Sequence, residues 1–408
     1  MNILFYIYIF VSALLAFYLL FPFITVFSAL FSKESIKTKE ELGVSYQEFD
    51  IGCIITAYKN AEISKPLIAS LLNQSFQNFH IYLVADDCDM VEFNLTNKKM
   101  MVLNPQPSLK LKAKSIIYAM KNYVRKHDYT IVFDADNLAH PDFLLEINKY
   151  ANNGYHAIQG QRTAKNLDTI YACADATGEF YKNYIERYVP YMLGSSSVIS
   201  GSGMAVETDL YSAYLASPAI EMGKTQGKKM LQEDKILQNN LLFKDEKIVF
   251  AKNAIVFDEK VVSGEQVEIQ RSRWLFSYFQ NLPNSSGLII KGLTRLSWNQ
   301  FFFGLITVAP PLFILLFTSI VWAVLGLFIA PEIGIGLIAS LVIFIFTILW
   351  TLHLSNVPKA VWLAIWGLPF FVLKQVSALF KMGNPNKNFK HSKHTRKVSI
   401  DDVLNKDK

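Results

Sequence analysis

Cysteine is scarce: Cys53, Cys88 and Cys173 stand far apart in 408 residues. That scatter excludes a disulfide framework and a cysteine-rich metal cluster, and Cys53, inside the apolar run "IGCIITAY", reads as core. Charge is thin as well, with Asp, Glu, Lys and Arg at 18% against 51% hydrophobic residues. The shortage is uneven: residues 1–32 carry no charged side chain. No basic stretch precedes this run and it is too long for a cleaved leader, so it reads as an anchor. About 20 apolar residues cross a bilayer as a helix, which makes it long enough to span with tilt. Internal repeats and nucleic-acid-binding motifs are missing too.

Two further uncharged runs occupy 299–331 and 333–352. They read as a helical hairpin turning at Ala330-Pro331-Glu332, with Pro310-Pro311 either kinking the first arm or marking where it enters the bilayer. Lys33, Lys37 and Lys39 directly follow the first run and place that end in the cytoplasm. The apolar stretch from Ala360 to Leu373 is short for a span, and its two Trp, Gly and Pro suit a helix lying in the interface. One more crossing there would export the basic tail "KMGNPNKNFKHSKHTRK", so three crossings are expected. The net charge of +6 comes largely from this tail, whose expected partner is anionic membrane lipid and not nucleic acid. The expected organisation is a transmembrane helix (1–32), a cytoplasmic domain (33–285), an interfacial segment (286–300), a transmembrane hairpin (301–354), an interfacial amphipathic helix (355–381) and a basic cytoplasmic tail (382–408).

Between the anchors, apolar runs alternate with charge. "IGCIITAY" (51–58), "FHIYLVADDCD" (79–89) and "YTIVFDADN" (129–137) read as buried strands. Helical patterns follow them at about 64–73, from Lys112 and Lys114 to about 126, and at about 141–152. Strands alternating with helices imply an α/β layer with a mainly parallel sheet. Ligands of such sheets bind beyond the carboxyl ends of the strands, and those ends carry Tyr58, Asp86, Asp87, Asp134 and Asp136. Alternate residues of an extended strand point the same way, so Asp134 and Asp136 can converge on one cation. An acidic turn, where Asp and Asn bond their own backbone, accounts for the same residues more plainly.

The ordered set "IITAYKN", "VADDCD", "KAKSIIYAM", "FDADN", "GSGMAV", "QEDKIL" and "QRSRW" resembles the family 2 glycosyltransferases, over roughly residues 50–300. It is most similar to the membrane-embedded Q-x-x-R-W synthases of cellulose, chitin and hyaluronan and to ceramide glucosyltransferase. Thr56 is a departure, standing where many members have proline. The resemblance implies a GT-A fold, a nucleotide-sugar-binding, Rossmann-like mixed sheet with transmembrane helices on both sides. It also implies a UDP-sugar or other nucleotide-sugar donor. Asp136 would ligate Mg or Mn, and Asp134 would meet the donor ribose, or the metal through water. Asp86 or its neighbour Asp87 would accept from the uracil ring near Tyr58, and Lys112 or Lys114 would lie by the donor phosphates.

Departure of a nucleoside diphosphate develops negative charge that a divalent cation stabilises as a Lewis acid, and hard carboxylate oxygens suit such a cation. The resemblance assigns the general base to Asp234, with Glu233 beside it toward the acceptor; carboxylates in a first helical turn also suit the helix dipole. Gly201, Ser202 and Gly203 would form a loop beneath the acceptor sugar, or simply a tight turn before a strand. In "QRSRW", Gln270, Arg273 and Trp274 share one helical face. With Arg271 they would grip diphosphate oxygens and offer an indole face to an acceptor ring, or else mark the membrane surface.

The expected activity is a membrane-bound, inverting, metal-dependent glycosyl transfer on the cytoplasmic face, at the plasma or inner membrane if bacterial. The acceptor would be a polysaccharide or a lipid-linked saccharide. Three crossings enclose no wide channel, so polymer export would need an oligomer or partner chains. The alternatives are a single-addition glycolipid enzyme and a non-catalytic scaffold retaining the fold; a membrane nucleotidyltransferase would share the acids but not Q-x-x-R-W.

Overall fold

Runs of β-branched and aromatic residues between 51 and 258 line up side by side in the computed structural model, which describes residues 3–34, 36–91, 93–226, 232–368, 371–372, 375, 396 and 398–406. They form an eight-stranded sheet of order β3-β2-β1-β4-β7-β6-β8-β5 among these residues. Its strands are β1 (Ile51–Tyr58), β2 (Phe79–Asp86), β3 (Met100–Leu103), β4 (Tyr129–Asp134), β5 (Leu138–Ala139), β6 (Ala157–Ala164), β7 (Met204–Glu207) and β8 (Ile248–Asp258). β1, β2, β3 and β4 run parallel, as do β6 and β8, whereas β7 runs antiparallel to both β4 and β6. The sheet is therefore mixed, with parallel pairing predominating. β2 is buried along its whole length, as expected of a strand covered by helices on both faces.

The covering helices are α3 (Lys65–Leu72), α4 (Lys112–Lys121), α5 (Phe143–Asn152), α6 (Ile170–Lys182), α8 (Thr208–Leu215) and α10 (Glu233–Phe243). Shorter helices are α2 (Lys39–Leu42), α7 (Val189–Met192) and α9 (Pro218–Thr225). One face of the sheet buries Ile55, Leu67, Ile81, Phe133, Phe143 and Ile147 together. The other buries Ile54, Tyr82, Ile116, Val132, Met204 and Leu241. Three boundaries fall short of the sequence expectation, β4 ending at Asp134 and not at 137. β2 stops at Asp86, where Asp87 turns into a left-handed conformation (φ 56°). α4 stops at Lys121, because Asn122 bonds back to the Tyr118 carbonyl at 2.8 Å.

Long helices make up the remainder. α1 (Ile3–Ala29), α13 (Leu312–Ile329) and α14 (Pro331–Leu354) are the three described helices long and apolar enough to cross a membrane. They pack together through Leu15, Leu19, Val26, Leu315, Ala323, Leu337 and Phe344. α11 (Gly264–Thr294) continues through residue 285 without a break, so the expected domain boundary lies inside one helix. The expected first arm of the hairpin also divides at Pro310-Pro311. α12 (Trp298–Val308) lies against α11 and buries Phe302 and Phe303 in the core on one face of the sheet, leaving α13 as the candidate span. The contact is close enough that a Cβ on Gly292 would sit 2.4 Å from the Phe301 nitrogen.

After α14 come α15 (Lys359–Ala364) and a 3-10 turn, Ile365–Gly367, exposing Leu363 and Trp366. Most of the expected interfacial helix beyond Leu368, and most of the basic tail, lie outside the described residues. The chain is described again at Arg396 and ends in α16 (Ile400–Lys406), which packs on the sheet edge at Leu138 and Phe257. This described end of the chain therefore lies against the eight-stranded sheet.

Candidate active site

The carboxyl ends of β1, β2 and β4 bring the acids together. β4 ends at Asp134, whose N–H donates to Asn137 Oδ1 at 3.0 Å and Ser202 Oγ at 3.4 Å. Ser202 Oγ also donates to Asn137 Oδ1, so the loop before β7 is knitted to the D-x-D turn. Gly201 and Gly203 both take positive φ (76° and 64°), where a side chain would be strained. A Cβ on Gly203 would also press to 2.8 Å from Val256 Cγ2.

Lys112 is the hub. From the first turn of α4 its Nζ donates to Asp134 Oδ1 at 2.7 Å and to the Gly201 carbonyl at 2.9 Å, and lies 4.0 Å from Glu233 Oε1. Lys112 and not Lys114 makes these contacts. Burial opposes the Lys112 charge, but Asp134 and then Glu233 outweigh it and raise its pKa.

Asp234 lies against the same loop: a Cβ on Gly201 would be 3.5 Å from Asp234 Oδ2. Glu233 and Asp234 open α10 behind Gln232, which is left-handed (φ 60°) and donates to Gln280 of α11 at 2.7 Å. Tyr214 OH donates to the Glu233 carbonyl. Burial raises the Glu233 pKa; Lys112 pulls it down, and Asp234 adds to the rise. Asp134, Lys112, Gly201, Glu233 and Asp234 are therefore one cluster, drawn from four separate stretches of sequence.

Asp136 is 8% exposed, and its carbonyl accepts from Lys165 Nζ at 3.1 Å. Asp86 is turned to its own loop: its carboxylate accepts from Ser108 Oγ (2.9 Å), Leu109 N–H (2.8 Å) and Lys110 N–H (2.7 Å). Asp87 is the exposed member of the pair and accepts from the Tyr58 hydroxyl.

The "QRSRW" stretch lies on α11 facing α6. Arg271 pairs with Asp175, and its guanidinium carbon is 4.2 Å from the Trp274 ring centre. Lys182 Nζ stands 4.9 Å from the same ring, within cation–π range. Gln270 Oε1 is buried without a hydrogen-bond partner among the described residues, and burial lowers the Arg273 pKa.

Sequence reasoning missed the residues that brace this arrangement. Glu179 receives Arg187 at 2.8 Å and Lys260 at 3.5 Å; Lys260 also meets Asp258 at 2.8 Å, and Arg162 pairs with Asp258. Arg162 donates as well to the Ser200 carbonyl at 2.8 Å, which ties the network to the glycine loop. A signal existed. Asp175 and Glu179 are spaced i, i+4 in the alanine-rich "IYACADATGEFYK", where carboxylates are out of place unless paired.

The donor set suits a divalent cation. Two carboxylates in one turn supply hard oxygens, and Mg or Mn sites commonly take one or two carboxylates and complete their shell with phosphate and water. Among the described residues no group of three or more His, Cys, Asp or Glu that could hold a metal ion is present.

The family model "Glycosyltransferase like family 2" matches residues 50–277, more than half of the chain. The chain belongs to this family. Its GT-A fold recurs in the mannosyltransferase PcManGT from Pyrobaculum calidifontis, solved with GDP-Man and Mn2+, at 10% identity and TM-score 0.54, covering 91% of this chain and 99% of that one. TarS 1–349 from S. aureus is more distant, at 11% identity and TM-score 0.40, over 84% of this chain and 93% of that one. No curated protein sequence matches the chain.

Proposed function

We propose that this glycosyltransferase is membrane-bound, inverting and dependent on Mg or Mn. It moves a sugar from a nucleotide-sugar donor to a polysaccharide or lipid-linked saccharide at the cytoplasmic face of the membrane. One observation carries the reading: Lys112 ties the D-x-D acid Asp134 to the Gly201 loop and Glu233, beside Asp234. Groups for the leaving diphosphate and for the attacking hydroxyl thus share one cluster.

Asp136 and Asp134 would hold the cation, which when bound supplies Lewis-acid stabilisation of the departing diphosphate. Lys112 shares that charge, and a donor phosphate would replace one of its present carboxylate contacts. Tyr58 and Asp87 recognise the base edge, because Asp86 already accepts from residues 108–110. Asp234 removes the acceptor proton for attack opposite the nucleotide, and Gly201, Ser202, Gly203 and Glu233 shape the acceptor side. Gln270, Arg271, Arg273 and Trp274 close the site as in the Q-x-x-R-W synthases, with Trp274 stacking on an acceptor ring and Asp175 holding Arg271.

A single-addition reading also has an observation behind it. The candidate spans α1, α13 and α14 fill the space between them with side chains, Leu19 and Phe344 being fully buried. Polymer export would then pass through an oligomer or partner chains. Full-length protein in nanodiscs, given labelled UDP- and GDP-sugars with Mn2+ and membrane acceptors, tests both. A ladder of products supports a synthase and a single product supports one addition; no transfer from any donor would overturn the enzymatic reading in favour of a scaffold.

A further inference from the structure

Lys165 is 2% exposed and stands at the end of β6, where no sequence motif places it. Its ammonium bridges two backbones: it donates to the Asp136 carbonyl at 3.1 Å and to the Arg396 carbonyl at 2.8 Å. Its own N–H is held by the Asp258 carbonyl at 2.8 Å, so its stem starts from a fixed point on the sheet. Arg396 is itself pinned. Its N–H donates to Glu259 Oε2 at 3.1 Å, and its guanidinium meets Asp168 at 2.6 Å.

Beyond it, Ser399 and Asp402 exchange hydrogen bonds at the start of α16. Ile400 and Val403 are buried with Leu138 and Phe257, against Ile255, Val398 and Leu404. Leu138 is two residues from Asp136, and it pairs with Phe257 in the β5–β8 ladder. The C-terminal segment therefore meets the C-terminal side of the D-x-D turn at two points, through the ammonium of Lys165 at residue 136 and by apolar packing at residue 138.

We infer that this segment, residues 396 and 398–406, is a working part of the donor-cation site, and that Lys165 is the positioning residue through which its docking fixes the backbone bearing Asp136. The inference rests on the reading of Asp136 as a cation ligand. Groups that orient a metal ligand without touching the metal typically change affinity 10- to 100-fold when removed. The dependence should appear in cation affinity and in KM for Mn2+, with kcat at saturating Mn2+ largely kept.

The test uses the full chain in nanodiscs. Mn2+ is titrated in the presence of GDP or UDP and the free ion is read by electron paramagnetic resonance, for wild type, Val403→Asp, Lys165→Met and Asp136→Asn. Hydrogen exchange at amides 400–406 reports whether Val403→Asp has released the segment. Release with Mn2+ affinity about tenfold weaker, and the same weakening in Lys165→Met, is expected. Release with affinity within about twofold of wild type would overturn the inference while leaving the metal site standing. If Val403→Asp fails to fold, Lys165→Met decides by the same criterion. Unchanged Mn2+ binding in Asp136→Asn would remove the metal-site reading and this inference together.

Discussion

Asp234 and Glu233 are adjacent in sequence, yet their surroundings divide the work. Glu233 faces Lys112, and its burial favours the protonated form, whereas Asp234 borders the glycine loop. A general base contributes about 10²- to 10⁴-fold in rate. Asp234→Asn should therefore lower transfer by at least a hundredfold while donor affinity, measured by calorimetry, stays near wild type. Full turnover by the purified variant would assign the base elsewhere. That β2 and β4 end in Asp was legible because it is a local feature. Which contacts each member of a pair makes was not: Asp86 differs from Asp87, and Lys112 from Lys114, only through tertiary contacts with residues 108–110 and Asp134.

At the scale of elements, α6 meets α14 through Tyr181 against Phe344 and carries Glu179 into a buried charge network. Burial alone would raise the Glu179 pKa, but Lys260, Arg162 and Arg187 override it and hold the carboxyl well below its ordinary range. A depressed folded-state pKa contributes stability that is complete above the ordinary carboxylate value and is lost as pH falls below it. Glu179→Gln should cost about 3–5 kcal/mol near neutrality, as expected for breaking a buried pair, and should flatten the acid limb of the curve of melting temperature against pH. Parallel curves for variant and wild type would refute the assignment. The network escaped sequence analysis because its members come from β6, α6, the turn after it and the end of β8, about a hundred residues apart. The α11 boundary escaped for the opposite reason. Nothing local marks residue 285, since Pro283 is accommodated within the helix.

For the whole molecule, the three apolar runs were legible from length and absence of charge, and the α/β alternation from strand-length apolar runs. The docked C-terminus was not, because seventeen mostly basic and polar residues drew attention from Val398, Ile400, Val403 and Leu404, an apolar set with helical spacing. Three crossings, with the C-terminus against the sheet edge, predict a topology that can be measured. In sealed vesicles, Val44→Cys and a tag at residue 408 should be reached by impermeant reagents from one side, and Glu332→Cys from the other. Labelling of all three from one side would refute three crossings.

The pair Pro310-Pro311 has a consequence for how the anchor behaves. Two successive prolines offer no N–H to the Ile306 and Thr307 carbonyls, so the helical ladder of α12 cannot pass its bonds into α13. α12 stays against α11 at Gly292 and Gly304, while α13 turns away to pack with α1 and α14. The break therefore lets one uncharged run serve two packings, α12 against the sheet core through Phe302 and Phe303 and α13 against α1 and α14 through Leu315 and Ala323.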